Sequence, residues 1–154
     1  MRALIQRVSR GRVTVAEQVL GAIGQGYVVL LGVGQRDVPE DAEWLADRVI
    51  DLRLFADQNG KTNLSLADIS GEVLVVSQFT LYANANRGRR PSFTDSAPPA
   101  LAEPLYERFI AHLRARGARV ATGRFGAQMQ VDILNDGPVT IWLEREAGRS
   151  LGGG

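Results

Sequence analysis

Few side chains in this sequence can act as nucleophile, base or metal ligand, and that scarcity narrows the chemistry. There is no cysteine, which removes thiol nucleophiles, disulfides and cysteine-ligated zinc or iron–sulfur sites. The single histidine, His112, cannot build a multi-histidine metal site within one chain, and it falls in the helical segment LYERFIAHLRARG, where it is expected to face solvent. What remains is a group of hydroxyl and amide side chains, Ser77, Gln78 and Thr80, in VLVVSQFTLYANANRGRRPSF. They follow the aliphatic run Val73 to Val76, a strong burial signal. Polar groups carried into a core must be hydrogen-bonded or lose stability, so they either cap the strand or face a site.

Directly after them, RGRRPSF places Arg87, Arg89 and Arg90 beside Phe93, a local patch suited to phosphate contact; the plain alternative is a solvated charged loop. With a net charge of +1 the chain is not a globally basic nucleic-acid coat, so any polyanion must be held by such a patch. Every basic residue except Lys61 is arginine, which suits bidentate phosphate contacts and equally follows from coding bias. A second stretch, NDGPVTIW, sets Gly137-Pro138 between two apolar segments; alone, it reads as a hairpin turn formed by Asn135, Asp136 and Gly137. GVGQRD lacks the third glycine and any Gly-Lys-Ser/Thr of a phosphate-binding loop and reads as a strand-to-helix turn.

The elements that must position these residues follow from periodicity. ALIQRV and RVTVAEQVLGAIG alternate with period two, and GYVVLLGVG is a compact apolar run, so three or four strands in meander order open the chain. In DVPEDAEWLADRVIDLRLF the period changes: Ala42, Leu45, Val49 and Leu52 recur at helical spacing, with Asp37 and Glu40 as the expected capping box. A turn-rich stretch around Asn59-Gly60 leads to the strand of SQFT. The second helix carries Leu105, Phe109 and Leu113 on one side and stops at Gly117, with Pro104 obscuring its start. ARVATGRF and MQVDILNDGPVTIWLERE close the fold.

Strands gathered at both ends around two helices, without regular strand–helix alternation, indicate an α+β domain with a mainly antiparallel sheet. At 154 residues one domain is expected, spanning residues 1–146, with the glycine-rich 147–154 a disordered tail. No apolar run approaches a membrane span and the N-terminus alternates instead of forming a signal-peptide core, so a cytoplasmic location is the default expectation.

SQFTL (Ser77–Leu81) and NDGPVT (Asn135–Thr140), together with ALIQRV and TGRFGAQMQV, closely resemble the D-aminoacyl-tRNA deacylase family in order and spacing, from Ala3 to about Leu143. The resemblance implies a barrel-like β-rich domain that hydrolyses the ester joining a D-amino acid to the 3′ end of tRNA. It further implies a homodimer with sites at the subunit interface, and no metal or cofactor. By position, Ser77, Gln78, Phe79 and Thr80 form one pocket wall and Met129 lines the pocket. Gly137 and Pro138 form a cross-subunit element with a cis bond, and Arg7 supports that loop. Thr80 matches a threonine that the family once offered as nucleophile, but no base is at hand in this sequence to activate it. The mechanism expected instead uses backbone N–H groups of Phe79 and Thr80 as an oxyanion hole, with the substrate's own 2′-hydroxyl assisting water. Selection against L-amino acids is then steric, which admits glycyl-tRNA to some degree.

Two other classes remain open to the residues alone. A non-catalytic RNA-binding module would use the arginine loop and strand aromatics without turnover. A small-metabolite-binding oligomer would show no dependence on tRNA.

Overall fold

The computed structural model describes residues 1–86 and 88–150. Its organising element is β1 (Arg2–Val15), in which Ala3, Ile5, Val8 and Val13 are buried. The chain reverses at Ala16 and Glu17, both at positive φ (46° and 67°), the twist a tight hairpin requires, into β2 (Gln18–Ile23). β3 (Gly26–Gly32) continues along the same edge of β1: β2 pairs with Gly11–Val15 and β3 with Arg2–Val8. The other edge of β1 is taken by β8 (Gln130–Glu146), antiparallel along most of its length.

Beyond β3 the sheet changes sense. β6 (Glu72–Ser77) pairs parallel with β3, and β7 (Arg119–Thr122) pairs parallel with β6. Parallel neighbours need long crossovers. Helix α1 (Pro39–Asp51) with the small hairpin β4 (Arg53–Ala56) and β5 (Thr62–Ser65) makes the first, and α2 (Pro99–Ala115) the second. The expected α+β, mainly antiparallel, barrel-like sheet with two helices is what forms. The two parallel pairings were hidden because the β4–β5 hairpin interrupts the strand–helix rhythm between β3 and β6.

Both faces of β3 and β6 are buried, which explains their unbroken apolar runs. Tyr27, Val29, Leu31, Val73 and Val75 pack under the helices against Leu45, Val49, Phe109 and Leu113. Val28, Leu74 and Val76 point the other way, into a second cluster with Val8, Val13 and Ile23 inside the curl of the sheet. Each buried aliphatic side chain contributes about 1.5–3 kcal/mol, so this two-sided sheet is the main store of stability.

Four expectations need correction. The cap of α1 sits one residue later than Glu40: the Val38 N–H donates to Asp41 Oδ2 at 3.0 Å, while Asp37 is occupied by the Gly34 N–H at 2.6 Å. His112 is half-buried, its Nε2 2.9 Å from Asp47 on α1. The hairpin expected at Asn135–Gly137 does not form, because the chain does not reverse there. β8 keeps its direction and pairs with β1 on either side of the segment, but Asp136–Val139, with the Gly137–Pro138 bond cis, bulge out of the ladder opposite the single residue Arg7. The continuous partner strand β1 holds both halves of β8 in line, and the proline is accommodated as an irregularity where the outer edge of β8 needs no N–H. Within the expected tail, Ala147 and Gly148 turn the chain into β9 (Arg149–Ser150), which pairs with Arg145 and Glu146; residues 151–154 lie outside the described residues. No described helix is long and apolar enough to cross a membrane.

Candidate active site

A cavity of about 600 Å³ opens at the C-terminal ends of the parallel strands β3 and β6. Leu31 and Val33 form its floor, with Val76 and Val131 beside them. Aromatic side chains from three separate segments wall it: Phe93 from the loop after β6, Tyr106 from α2 and Phe125 from the turn after β7. Ser77, Gln78, Phe79 and Met129 also line it. No charged side chain of the described residues does so. Tyr106 donates its hydroxyl to the Val75 carbonyl at 3.1 Å, and burial pushes its phenol far above the usual value, so it stays a neutral wall.

The polar end of β6 is explained by how the strand stops. The Gln78 N–H makes the last bond of the ladder, to the Leu31 carbonyl at 2.8 Å. Residues Phe79–Tyr82 then coil into a single 3₁₀ turn, closed by the Leu81 N–H to the Gln78 carbonyl at 3.2 Å. The first N–H groups of any helical turn lack internal partners. Those of Phe79 and Thr80 find no acceptor among the described residues. The turn sits this close to β3 because Gly32 and Gly34 leave room. A Cβ at Gly32 would stand 3.0 Å from the Gln78 carbonyl oxygen, and one at Gly34 2.8 Å from the Tyr82 ring.

Thr80 lies on this turn, exposed and outside the cavity lining, and its hydroxyl is bonded to the Gln78 side-chain amide. No carboxylate or imidazole of the described residues bonds to it. Phe79 is 57% exposed at the cavity mouth and meets Phe93 edge to face, ring centroids 5.1 Å apart. Arg89 and Arg90 are exposed on the loop that carries Phe93, and Arg87 lies outside the described residues.

Gly137, Pro138 and Arg7 are not brought to this cavity within the single chain. They form their own cluster. Arg7 donates from Nε to the Asp136 carbonyl at 3.2 Å and from Nη1 to the Leu54 carbonyl at 2.5 Å, so it ties the segment before Gly137 to the β4 hairpin. Gly137 and Pro138 are exposed on β8. Beyond Arg145, β8 pairs with β9, and along the rest of the strand the edge away from β1 has no partner among the described residues.

Sequence reasoning overlooked the aromatic walls. Tyr106 falls on the same helical stripe as Ala102 and could have been found there; Phe93 and Phe125 carry no periodic signal. Arg2, and Tyr82 at the end of the turn, were also unmarked: the Arg2 guanidinium carbon stands 4.2 Å from the Tyr82 ring centroid.

Residues 4–144 match the family described as D-Tyr-tRNA(Tyr) deacylase. The chain is 58% identical over 144 residues to a D-aminoacyl-tRNA deacylase of Thermotoga petrophila, covering 94% of this chain and 97% of that protein. It is 57% identical over 150 residues to one of Heliobacterium modesticaldum, covering 97% and 100%. Among solved structures, a c-Myc DNA unwinding element binding protein superposes with a TM-score of 0.88 at 42% identity, covering 96% of this chain and 100% of that one. A probable eukaryotic D-amino acid tRNA deacylase shares the fold, with a TM-score of 0.81 at 18% identity over 92% of this chain and 97% of that one. A match over almost the whole chain, with SQFT at the mouth of an uncharged cavity, shows that the chain belongs to the D-Tyr-tRNA(Tyr) deacylase family, a family of hydrolases.

Proposed function

We propose that this chain hydrolyses the ester joining a D-amino acid to the 3′ end of tRNA, releasing free D-amino acid and tRNA in the cytoplasm, where tRNA is charged. The observation that carries the reading is the pair of unengaged main-chain N–H groups at Phe79 and Thr80, on the rim of a cavity with no charged wall. An aminoacyl ester is already activated. What it lacks is a held carbonyl and donors for the oxyanion that forms when water attacks. Preorganised donors of this kind are worth roughly 10²–10³ in rate each. The apolar, aromatic cavity suits the terminal nucleoside, whose base presents a flat face for stacking. The vicinal 2′-hydroxyl of the ribose then lies near the ester to position water. Thr80 and Gln78 orient the turn through their mutual hydrogen bond instead of supplying a nucleophile. No cofactor or metal takes part in this scheme.

The working form in this reading is a homodimer. Its support is the long unpaired edge of β8, which carries exposed Leu134 and Trp142 and the exposed Gly137–Pro138 segment; edges of this length are normally covered or blunted. Gly137 and Pro138 of one subunit complete the other's cavity and close the side on which an L side chain would project. Met129 and Arg7 serve as lining and support. Selection is steric, so glycyl-tRNA is turned over as well. Arg87, Arg89 and Arg90 hold the RNA backbone.

A second reading, nucleic-acid binding without chemistry, is favoured by the 42%-identical solved structure, a protein named for binding a DNA unwinding element. Turnover of D-tyrosyl-tRNA against its L counterpart decides between them. Release of D-tyrosine with L-tyrosyl-tRNA spared supports the deacylase; binding without release supports the alternative, and equal turnover of both sinks the chiral assignment.

A further inference from the structure

The donors proposed for the reaction belong to one short turn, so their direction depends on what fixes that turn. On the β3 side, Gly32 and Gly34 let Leu81 and Tyr82 approach to contact distance. On the opposite side stands one long side chain. Arg2, near the start of β1, donates from Nη1 to the Leu81 carbonyl at 2.9 Å. Its guanidinium lies over the Tyr82 ring at 4.2 Å, and its Nε pairs with Glu144 of β8 at 2.5 Å. Trp142, also on β8, flanks the guanidinium with its ring centroid 5.8 Å away. Tyr82 is anchored beyond this by its hydroxyl, 3.4 Å from Asp37. The turn's last residues are thus held on both sides, and its first residues, Phe79 and Thr80, are left with free N–H groups.

We propose that Arg2 is a positioning residue for hydrolysis: it clamps the Leu81 carbonyl and the Tyr82 ring to Glu144 and thereby sets the direction of the Phe79 and Thr80 amides. The inference rests on the proposed role of those amides. Arginine is needed because the task is threefold: a planar cation stacks on Tyr82, one arm reaches a carbonyl, and Nε meets a carboxylate. Lysine offers a single ammonium and can meet the Leu81 carbonyl or Glu144 with far less stacking. The clamp also joins the catalytic turn to β8, the strand with the free edge, so a partner seated there would bear on the turn through Glu144, Trp142 and Arg2.

The test compares Arg2→Ala, Arg2→Lys and Glu144→Gln with the unaltered chain, and with Arg108→Ala, which breaks an exposed ion pair to Glu43, neither residue lining the cavity. Single-turnover hydrolysis of saturating D-tyrosyl-tRNA is measured alongside KM, melting, and amide hydrogen exchange at Phe79–Tyr82. Small misplacements of catalytic groups cost up to about 10² in rate. Arg2→Ala is expected to lower the chemical rate roughly tenfold with KM held within about twofold. Arg2→Lys should recover part of the loss, Glu144→Gln should show a smaller one, and Arg108→Ala none. Exchange at the turn should quicken in Arg2→Ala while the protein still melts cooperatively. An unchanged rate with unchanged exchange overturns the clamp itself. An unchanged rate with faster exchange overturns the link from turn to chemistry and leaves the deacylase reading standing. No hydrolysis by the unaltered chain overturns the proposed function and this inference with it.

Discussion

Arg7 grips Asp136 twice, donating from Nε to its carbonyl at 3.2 Å while lying 3.4 Å from its carboxylate. With its other arm on the Leu54 carbonyl and only 16% of its side chain exposed, Arg7 is the peg between the β4 hairpin and the approach to Gly137. Hydrogen bonds from a charged group contribute about 1.5–3 kcal/mol each. Arg7→Ala should therefore lose about 2 kcal/mol in urea unfolding, and discrimination between D- and L-tyrosyl-tRNA should fall with it. Arg7→Lys should not restore both, because one ammonium cannot span the two carbonyls.

Gly137 has φ of +127°, and a Cβ there would stand 2.8 Å from the Val139 side chain and 3.0 Å from Arg7 Nη2. Strain and crowding act together, at about 1–3 kcal/mol for such a backbone. Gly137→Ala should cost a similar amount in denaturant unfolding and reduce deacylation more than the same change at Gly60, whose Cβ position is open.

Thr80→Ala removes a hydroxyl but keeps the N–H. The maximal rate on D-tyrosyl-tRNA should stay within about tenfold of the unaltered chain, well short of the ~10²–10³ expected for losing an oxyanion donor. A rate abolished at saturating substrate, with fold and binding intact, would mean that the hydroxyl itself does chemistry.

Charge reversal is unnecessary to test the RNA contact; neutralisation suffices. Replacing Arg89 and Arg90, with Arg87, by glutamine should weaken tRNA binding and flatten its salt dependence by about 0.7 in log–log slope for each phosphate that is no longer neutralised. Filter binding across a salt series reads both quantities. An unaltered slope would assign the phosphate contacts elsewhere.

Asp41 predicts an acid limb of stability. Burial pushes its carboxyl upward, but the Val38 and Gly148 N–H groups and Arg145 outweigh it and hold the group below its ordinary value. A carboxyl depressed in the native state stabilises fully above its unfolded value of about 3.9, and that stability is lost as pH falls through the native value. Unfolding free energy should drop in that window, and Asp41→Asn should remove this contribution. At neutral pH the variant should be about 3 kcal/mol less stable, since Arg145 then lacks its carboxylate.

Local patterns in the chain went far toward the fold. Val73–Val76 announced a strand buried on both faces, and Leu105, Phe109 and Leu113 announced the inner side of α2; each is a repeat of one residue's environment at a fixed spacing. NDGPVT misled on its own because β1 pairs with β8 on both sides of the bulge and keeps it one strand, and β1 lies more than a hundred residues away in sequence. The cap of α1 moved from Glu40 to Asp41 because Gly148 and Arg145 reach the latter from the chain's far end. For the cavity, Ser77 and Gln78 were legible as polar residues ending an aliphatic run, whereas Thr80, marked with them, falls outside the lining. The walls Phe93, Tyr106 and Phe125 were not, since only tertiary packing brings three unrelated segments around one space.

The free amides of the turn at Phe79 and Thr80 have no codon of their own. Every amino acid except proline carries that N–H, so nearly all missense changes at these two positions leave the proposed donors in place. In the proposed reaction, loss of the chemistry by substitution then comes from neighbours that shape the turn, among them Gly32 and Gly34, where a single methyl group would collide.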